Sequence, residues 1–207
     1  MTLRLNGSTS GYTEIDAPAV AGSNTLVLPT GNGTANQILR NGATAGSLEF
    51  TDKIVSGTAV ASTSGTSINF TGIPSWVKRV TVMLSGVSTN GTSNPMIQIG
   101  TSGGVETSGY LGATGYTGTG NAAGNFTTGF GLSFGTGTGT VFYGVALITS
   151  MGSNLWAFGY SGAFSSSANS LSGGGSKTLS GTLDRVRITT VTGTNTFDAG
   201  SINILYE

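Results

Sequence analysis

The chain contains no cysteine and no histidine. Without cysteine there is no disulfide framework and no thiolate chemistry. Without histidine the commonest general base and the commonest metal ligand are both missing. Charge is scarce too: eight basic and eight acidic residues in 207 leave a formal net charge of zero, with charged residues at 8% against about 25% in ordinary soluble domains. A balanced set this small gives no basic stripe for a nucleic-acid backbone. Long apolar runs are absent as well. The longest, Val141 to Ile148, is interrupted by Gly144 and falls far short of the roughly 20 residues a spanning helix needs. The opening Met1-Thr-Leu-Arg-Leu-Asn6 has no apolar stretch of leader length, so neither a secretory leader nor membrane insertion is expected.

What fills the chain instead is Gly, Thr and Ser, which at 36, 33 and 26 residues make up almost half of it. The apolar fraction of 37% and a mean hydropathy of +0.15 nevertheless separate it from disordered tails, which combine low hydropathy with high net charge. A neutral surface solubilised by hydroxyls and amides favours association, so the composition points to a homo-oligomer or a large neutral assembly.

Helical periodicity is absent; Gly or a β-branched residue breaks every window. Short alternating runs bounded by Gly, Asn, Ser and Thr predict an all-β chain. Two regions differ. In residues 1–53, extended pieces are expected at Thr2–Leu5, Tyr12–Ile15, Thr25–Leu28, Gln37–Leu39 and Ser47–Phe50, separated by Asn6-Gly7, Gly31-Asn32-Gly33 and Asn41-Gly42 turns. The large aliphatics there are too few for an independent core. Leu3, Leu5, Ile15, Leu26, Leu28, Ile38 and Leu39 are therefore candidates for a core completed by oligomerisation, and the segment is read as an attachment and trimerisation unit.

Residues 54–207 hold eight predicted strands, near Ser67–Phe70, Val77–Leu84, Met96–Gly100, Gly129–Phe134, Val141–Ser150, Leu155–Tyr160, Leu183–Val191 and Ser201–Tyr206. Alternation such as Val80, Val82, Leu84 predicts half-buried antiparallel strands and an antiparallel β-sandwich, with a jelly roll among the arrangements allowed. A weak internal echo links Val77–Val82 followed by Ile97-Gln98-Ile99 with Leu183–Ile188 followed by Ile202-Asn203-Ile204.

Chemistry is thinly represented. Glu14 and Asp16 have strand spacing but lack the bulk around them to shape a glycosidase cleft. Asp184 beside Arg185 and Arg187 reads as a surface charge cluster. Gly-x-Ser-x-Gly occurs around Ser102 and Ser133, in neither case between a strand and a helix, as a nucleophile elbow requires. No cofactor, no metal and no enzymatic activity are expected. Trp156, Phe158 and Tyr160 share one strand face, as core or as an aromatic platform. Tyr110, Tyr116, Asn121 and Asn125 lie in the Gly/Thr-rich stretch from Gly100 to about Gly129, read as a long loop; loop Tyr and Asn suit adaptable recognition, so these four are candidate receptor contacts.

One resemblance stands out. Asn6-Gly-Ser-Thr-Ser-Gly-Tyr12, Ala17-Pro-Ala19, Leu26-Val-Leu-Pro29, Gly31-Asn-Gly33 and Asn36-Gln-Ile-Leu-Arg-Asn-Gly42 resemble a segment common in tail-fibre-like proteins of bacteriophages, especially marine cyanophages. Gly72-Ile-Pro-Ser-Trp-Val-Lys-Arg-Val-Thr-Val-Met-Leu84 looks like the opening of the domain that follows it in those proteins. The resemblance implies a non-enzymatic virion structural protein, a short homotrimeric fibre or tail component that contacts other virion proteins and a host cell-surface glycan or protein. A capsid decoration or head-fibre protein is the alternative, and a polysaccharide depolymerase a third.

Overall fold

Gly-rich stretches usually read as loop, yet here they build strands. The computed structural model describes residues 3–34, 37–52, 54–165 and 168–207, and no helix occurs among them. The predicted strand Thr2–Leu5 is found from Leu3; Thr2 lies outside the described residues. The chain divides into two compact units, Met1–Lys53 and Ile54–Glu207.

The first unit consists of two hairpins. Strands β1 (Leu3–Asn6) and β2 (Tyr12–Ile15) pair with Leu3 opposite Ile15 and Leu5 opposite Thr13. Cross-strand partners share a face, so Leu3, Leu5 and Ile15 form one aliphatic face. The other face carries the Arg4–Glu14 ion pair, with the Arg4 guanidinium 4.1 Å from the centre of the Tyr12 ring. Strands β3 (Gln37–Asn41) and β4 (Leu48–Asp52) form the second hairpin. The expected strand Thr25–Leu28 supplies only a bridge, Val27 to Ser47; beside it Gly46, at φ +81°, passes so close to the Thr25 carbonyl that a Cβ there would stand 2.3 Å from the oxygen. No described residue of this unit is buried.

The second unit contains β5 (Val55–Ser56), β6 (Val60–Ala61), β7 (Ser67–Thr71), β8 (Arg79–Thr89), β9 (Pro95–Thr101), β10 (Gly104–Val105), β11 (Tyr110–Gly118), β12 (Asn121–Phe126), β13 (Phe130–Gly131), β14 (Phe142–Gly152), β15 (Leu155–Phe164), β16 (Asn169–Thr178), β17 (Arg185–Thr190) and β18 (Phe197–Tyr206). Among the described residues these form two wholly antiparallel sheets. One runs β12-β11-β16-β15-β14-β8-β18-β5, with β6 also on β18; the other runs β10-β9-β17-β7, with β13 also on β9. The fold class read from the sequence, all-β with antiparallel sheets packed as a sandwich, is what the structure has. The sandwich sets nine strands against five, where a jelly roll has eight in all.

One apolar cluster lies between the sheets. From the large sheet come Val80, Val82, Ala146, Ile148, Trp156, Phe158, Ile202 and Ile204; from the small one come Ile97, Ile99, Phe130, Val186 and Ile188. Phe130 stacks on Phe158 across the gap with centroids 4.5 Å apart. Trp156, Phe158 and Tyr160 are thus core residues and form no exposed platform.

The internal echo has a structural counterpart. β8 and β18 pair in the large sheet, with Val82 opposite Ile204; β9 and β17 pair in the small one, with Ile97 opposite Ile188. Each half of the echo thus sends one strand to each sheet, and each strand pairs with the opposite member of the other half.

The stretch Gly100–Gly129 is corrected from loop to strand: it forms β10, β11 and β12. Its glycines serve close approach. A Cβ on Gly124 would stand 2.2 Å from the Phe134 ring. The strand β16 was not anticipated, since Ser172-Gly-Gly-Gly-Ser176 carries almost no apolar signal; it is held as a ladder between β11 and β15.

Candidate functional site

Of the four candidate receptor contacts, Tyr110 is corrected outright. It is 1% exposed and lies against Phe130 edge-to-face, with centroids 4.9 Å apart. Its position follows from a gap in the edge of β9. β13 covers Met96 and Ile97, and β10 covers Gly100 and Thr101, which leaves the Ile99 N–H without a strand partner on that edge. The Tyr110 hydroxyl fills the gap: it accepts from the Ile99 N–H at 2.8 Å and donates to the Glu106 carbonyl at 2.9 Å. Burial pushes the phenol well above its usual titration range.

Tyr116 is half-buried and leans on Phe164 with centroids 5.5 Å apart. Asn121 pairs with Thr117 and Asn125 with Ala113, while Tyr116 pairs with Ala122. Alternation therefore puts the two asparagines on one face of the sheet and Tyr116 on the other. Asn121 and Asn125 are exposed, and the structure does not gather the four into one site.

The seven candidate oligomer-core residues, Leu3, Leu5, Ile15, Leu26, Leu28, Ile38 and Leu39, are between 47% and 68% exposed in the single chain. Ile38 pairs with Thr51 and Leu39 with Phe50, so these two point to opposite faces of their hairpin. A second uncharged surface lies on the outer side of the large sheet. Tyr143, Val145 and Leu147 are each a little over 40% exposed there, in a row along β14. Beside them, small residues run in register across β15, β16 and β11, from Ser161 to Ser172 to Gly115.

Polar chemistry collects on the small sheet and at its rim. Lys177 is buried, forms an ion pair with Glu106, and its ammonium sits 5.6 Å from the centre of the Tyr110 ring. Glu106 also accepts from the Ser180 N–H at 2.8 Å and the Ser180 hydroxyl at 2.7 Å. Burial raises the Glu106 carboxyl, but the hydrogen bonds from Lys177 and Ser180, together with the Lys177 charge, outweigh it and hold the group below its ordinary value. Because Lys177 stands on β16 and Glu106 follows β10, this pair clamps the rims of the two sheets together.

On the outer side of the small sheet a groove of about 340 Å³ is lined by hydroxyl residues, among them Thr66, Thr107, Thr128 and Thr192, with Gln98 and Arg187 in its wall. The sequence cluster Asp184, Arg185, Arg187 is corrected here. Arg185 binds Asp184, but Arg187 turns away to the Gln98 amide oxygen, donating from Nε at 2.9 Å and also from Nη2. Gln98 is 2% exposed, and its own Nε2 donates to the Thr128 carbonyl at 2.7 Å. Sequence reading missed this pair. Its signal was present in Ile97-Gln98-Ile99 and Val186-Arg187-Ile188, where a polar residue between two core residues must face outward from its strand. Glu14 and Asp16 form no facing carboxylate pair: Glu14 binds Arg4, and Asp16 caps the Ala17 N–H. No family model, no curated protein and no solved structure matches this chain.

Proposed function

We propose that this chain is a non-enzymatic structural protein of a bacteriophage particle, a short homotrimeric fibre or tail component. Residues 1–53 join copies to one another and to neighbouring virion proteins, and residues 54–207 are the displayed domain. The observation that carries the reading is the exposure of all seven aliphatic side chains in a unit with no buried residue among those described. A segment of that kind is completed by other chains. The resemblance of the same residues to phage tail-fibre segments supports it. Host contact, in this reading, uses exposed polar positions such as Asn121 and Asn125; Tyr116 faces the core side of the sheet, and Tyr110 is excluded by burial.

A capsid decoration role is the second reading. The uncharged row Tyr143, Val145, Leu147 on a broad sheet face favours it, since a decoration protein must lie flat on another protein's surface. Two measurements test these readings. Light scattering on the full chain at micromolar concentration reports its mass; a monomer refutes the assembly role of residues 1–53. Gold-labelled antibody on intact particles then shows a tail or a shell pattern, and particles without label refute a virion protein altogether.

A further inference from the structure

Arg187 stands apart from the charge pairing around it. Arg4, Arg40, Arg79, Lys177 and Arg185 each hold a carboxylate. Arg187 has no carboxylate partner among the described residues, although its side chain is partly withdrawn from water in the wall of a groove. Its partner is a neutral amide whose orientation is fixed at both ends. The Gln98 Nε2 donates to a carbonyl, so Oε1 must face the guanidinium. Of the five guanidinium N–H groups, Gln98 takes one on Nε and one on Nη2, which leaves three without a carboxylate to bind. The local charge does not cancel. Glu106 is held by Lys177 and Ser180, and Asp184 by Arg185, so this side of the small sheet keeps one net positive charge, at Arg187. A guanidinium fixed by a buried amide and partly desolvated is a pre-organised half of a charge-assisted bond.

We propose that the groove binds an acidic saccharide, with its anionic group, carboxylate or sulfate ester, on Arg187 and its hydroxyls along the threonine-lined walls. The volume of about 340 Å³ lies at the lower end of small-ligand sites and suits one or two sugar units. The walls favour a polyol over an acidic peptide: Thr66, Thr107, Thr128 and Thr192 are exposed hydroxyl residues, against two large apolar side chains in the lining, Met96 and Val191, of which Met96 is buried. Among the described residues no aromatic side chain lines the groove, so sugar-face stacking does not contribute and the charged group decides selectivity. Such a site is weak alone and gains by repetition in an oligomer. The proposal does not depend on the assembly reading, because every residue it uses lies in the second unit.

The test is saturation-transfer NMR on the full chain with four probes at equal concentration: a galacturonate trisaccharide, a sulfated galactose disaccharide, neutral maltotriose and a tri-glutamate peptide. The expected result is saturation of one or both acidic saccharides, and the stronger of the two identifies the anionic group. Arg187→Gln should weaken the better probe by about tenfold or more. Gln98→Glu should do the same while leaving the arginine in place, because it supplies the missing carboxylate from within; its thermal melting checks that the fold persists. Equal saturation by maltotriose or by the peptide overturns the proposal. So does no saturation by either acidic saccharide, or undiminished binding in a folded Gln98→Glu variant.

Discussion

Truncating two aliphatic residues on one face of the first hairpin tests the assembly reading most directly. Leu5 and Ile15 are 53% and 61% exposed, and register places them with Leu3 on a single face. Full burial of such a side chain is worth about 1.5–3 kcal/mol, so covering the remaining half in an interface contributes roughly 1 kcal/mol each. In a trimer, Leu5→Ala with Ile15→Ala alters six side chains and removes on the order of 6 kcal/mol. That is about four decades in the trimerisation constant. Because a monomer–trimer midpoint varies as the square root of that constant, the midpoint concentration should rise about a hundredfold. Sedimentation velocity over a dilution series reads this directly. The opposite face provides the control: Arg4→Ala with Glu14→Ala breaks an exposed ion pair, worth about 0.2–1 kcal/mol, and should leave the midpoint nearly unmoved. Equal shifts for the two pairs, or a wild-type chain that is monomeric at about 10 µM, would refute the reasoning.

Three further outcomes test the sandwich. Tyr110→Phe should cost about 1–3 kcal/mol and speed hydrogen exchange at the Ile99 amide, since it removes the hydroxyl that closes the β9 edge; unchanged exchange there would mean the gap is closed by other means. Val82→Asp should lower thermal stability by several kcal/mol, because Val82 is fully buried opposite Ile204, whereas Thr81→Asp on the outer face should be mild; equal melting of the two would invert the register of β8. Glu106 is held below its ordinary value in the folded chain, so its contribution is complete above the unfolded carboxylate range and lost as pH falls through the folded value. Glu106→Gln should flatten that acid limb of the melting curve, and identical limbs would sink the clamp.

How much was legible depended on side-chain size. Val80, Val82 and Leu84, or Val186 and Ile188, announce a half-buried strand because bulk alternates with polarity, and these strands lie where alternation puts them. β16 carries only Leu171 as a large apolar residue, so nothing in its composition separates it from a linker. Its place is fixed by neighbours: a Cβ on Gly175 would meet the Leu111 carbonyl at 2.6 Å, so only glycine lets β11 approach that closely. The same small-residue ladder turned the Tyr110 stretch from expected loop into strand. Tyr110 itself was misplaced because a buried hydroxyl is indistinguishable from an exposed one in sequence; what buries it is a gap between two short strands elsewhere on β9. The Arg187–Gln98 pair joins residues 89 positions apart, and only the β9–β17 register, with Arg187 opposite Gln98, brings them together.

The scarcity of charge and the pattern of its use belong to one physical logic. Among the described residues, five basic side chains are tied to carboxylates, so most of the chain's few charges are cancelled locally and the long-range field is weak. A weak field gives little long-range steering toward a partner. It also removes like-charge repulsion between identical copies, the term that opposes self-association at high local density. Assembly through Leu3, Leu5 and Ile15, as proposed, would rest on apolar area and be insensitive to ionic strength, while a contact at Arg187 would be charge-assisted and weaken with salt. The two surfaces thus respond to different variables, and changing the salt concentration separates them without changing a residue.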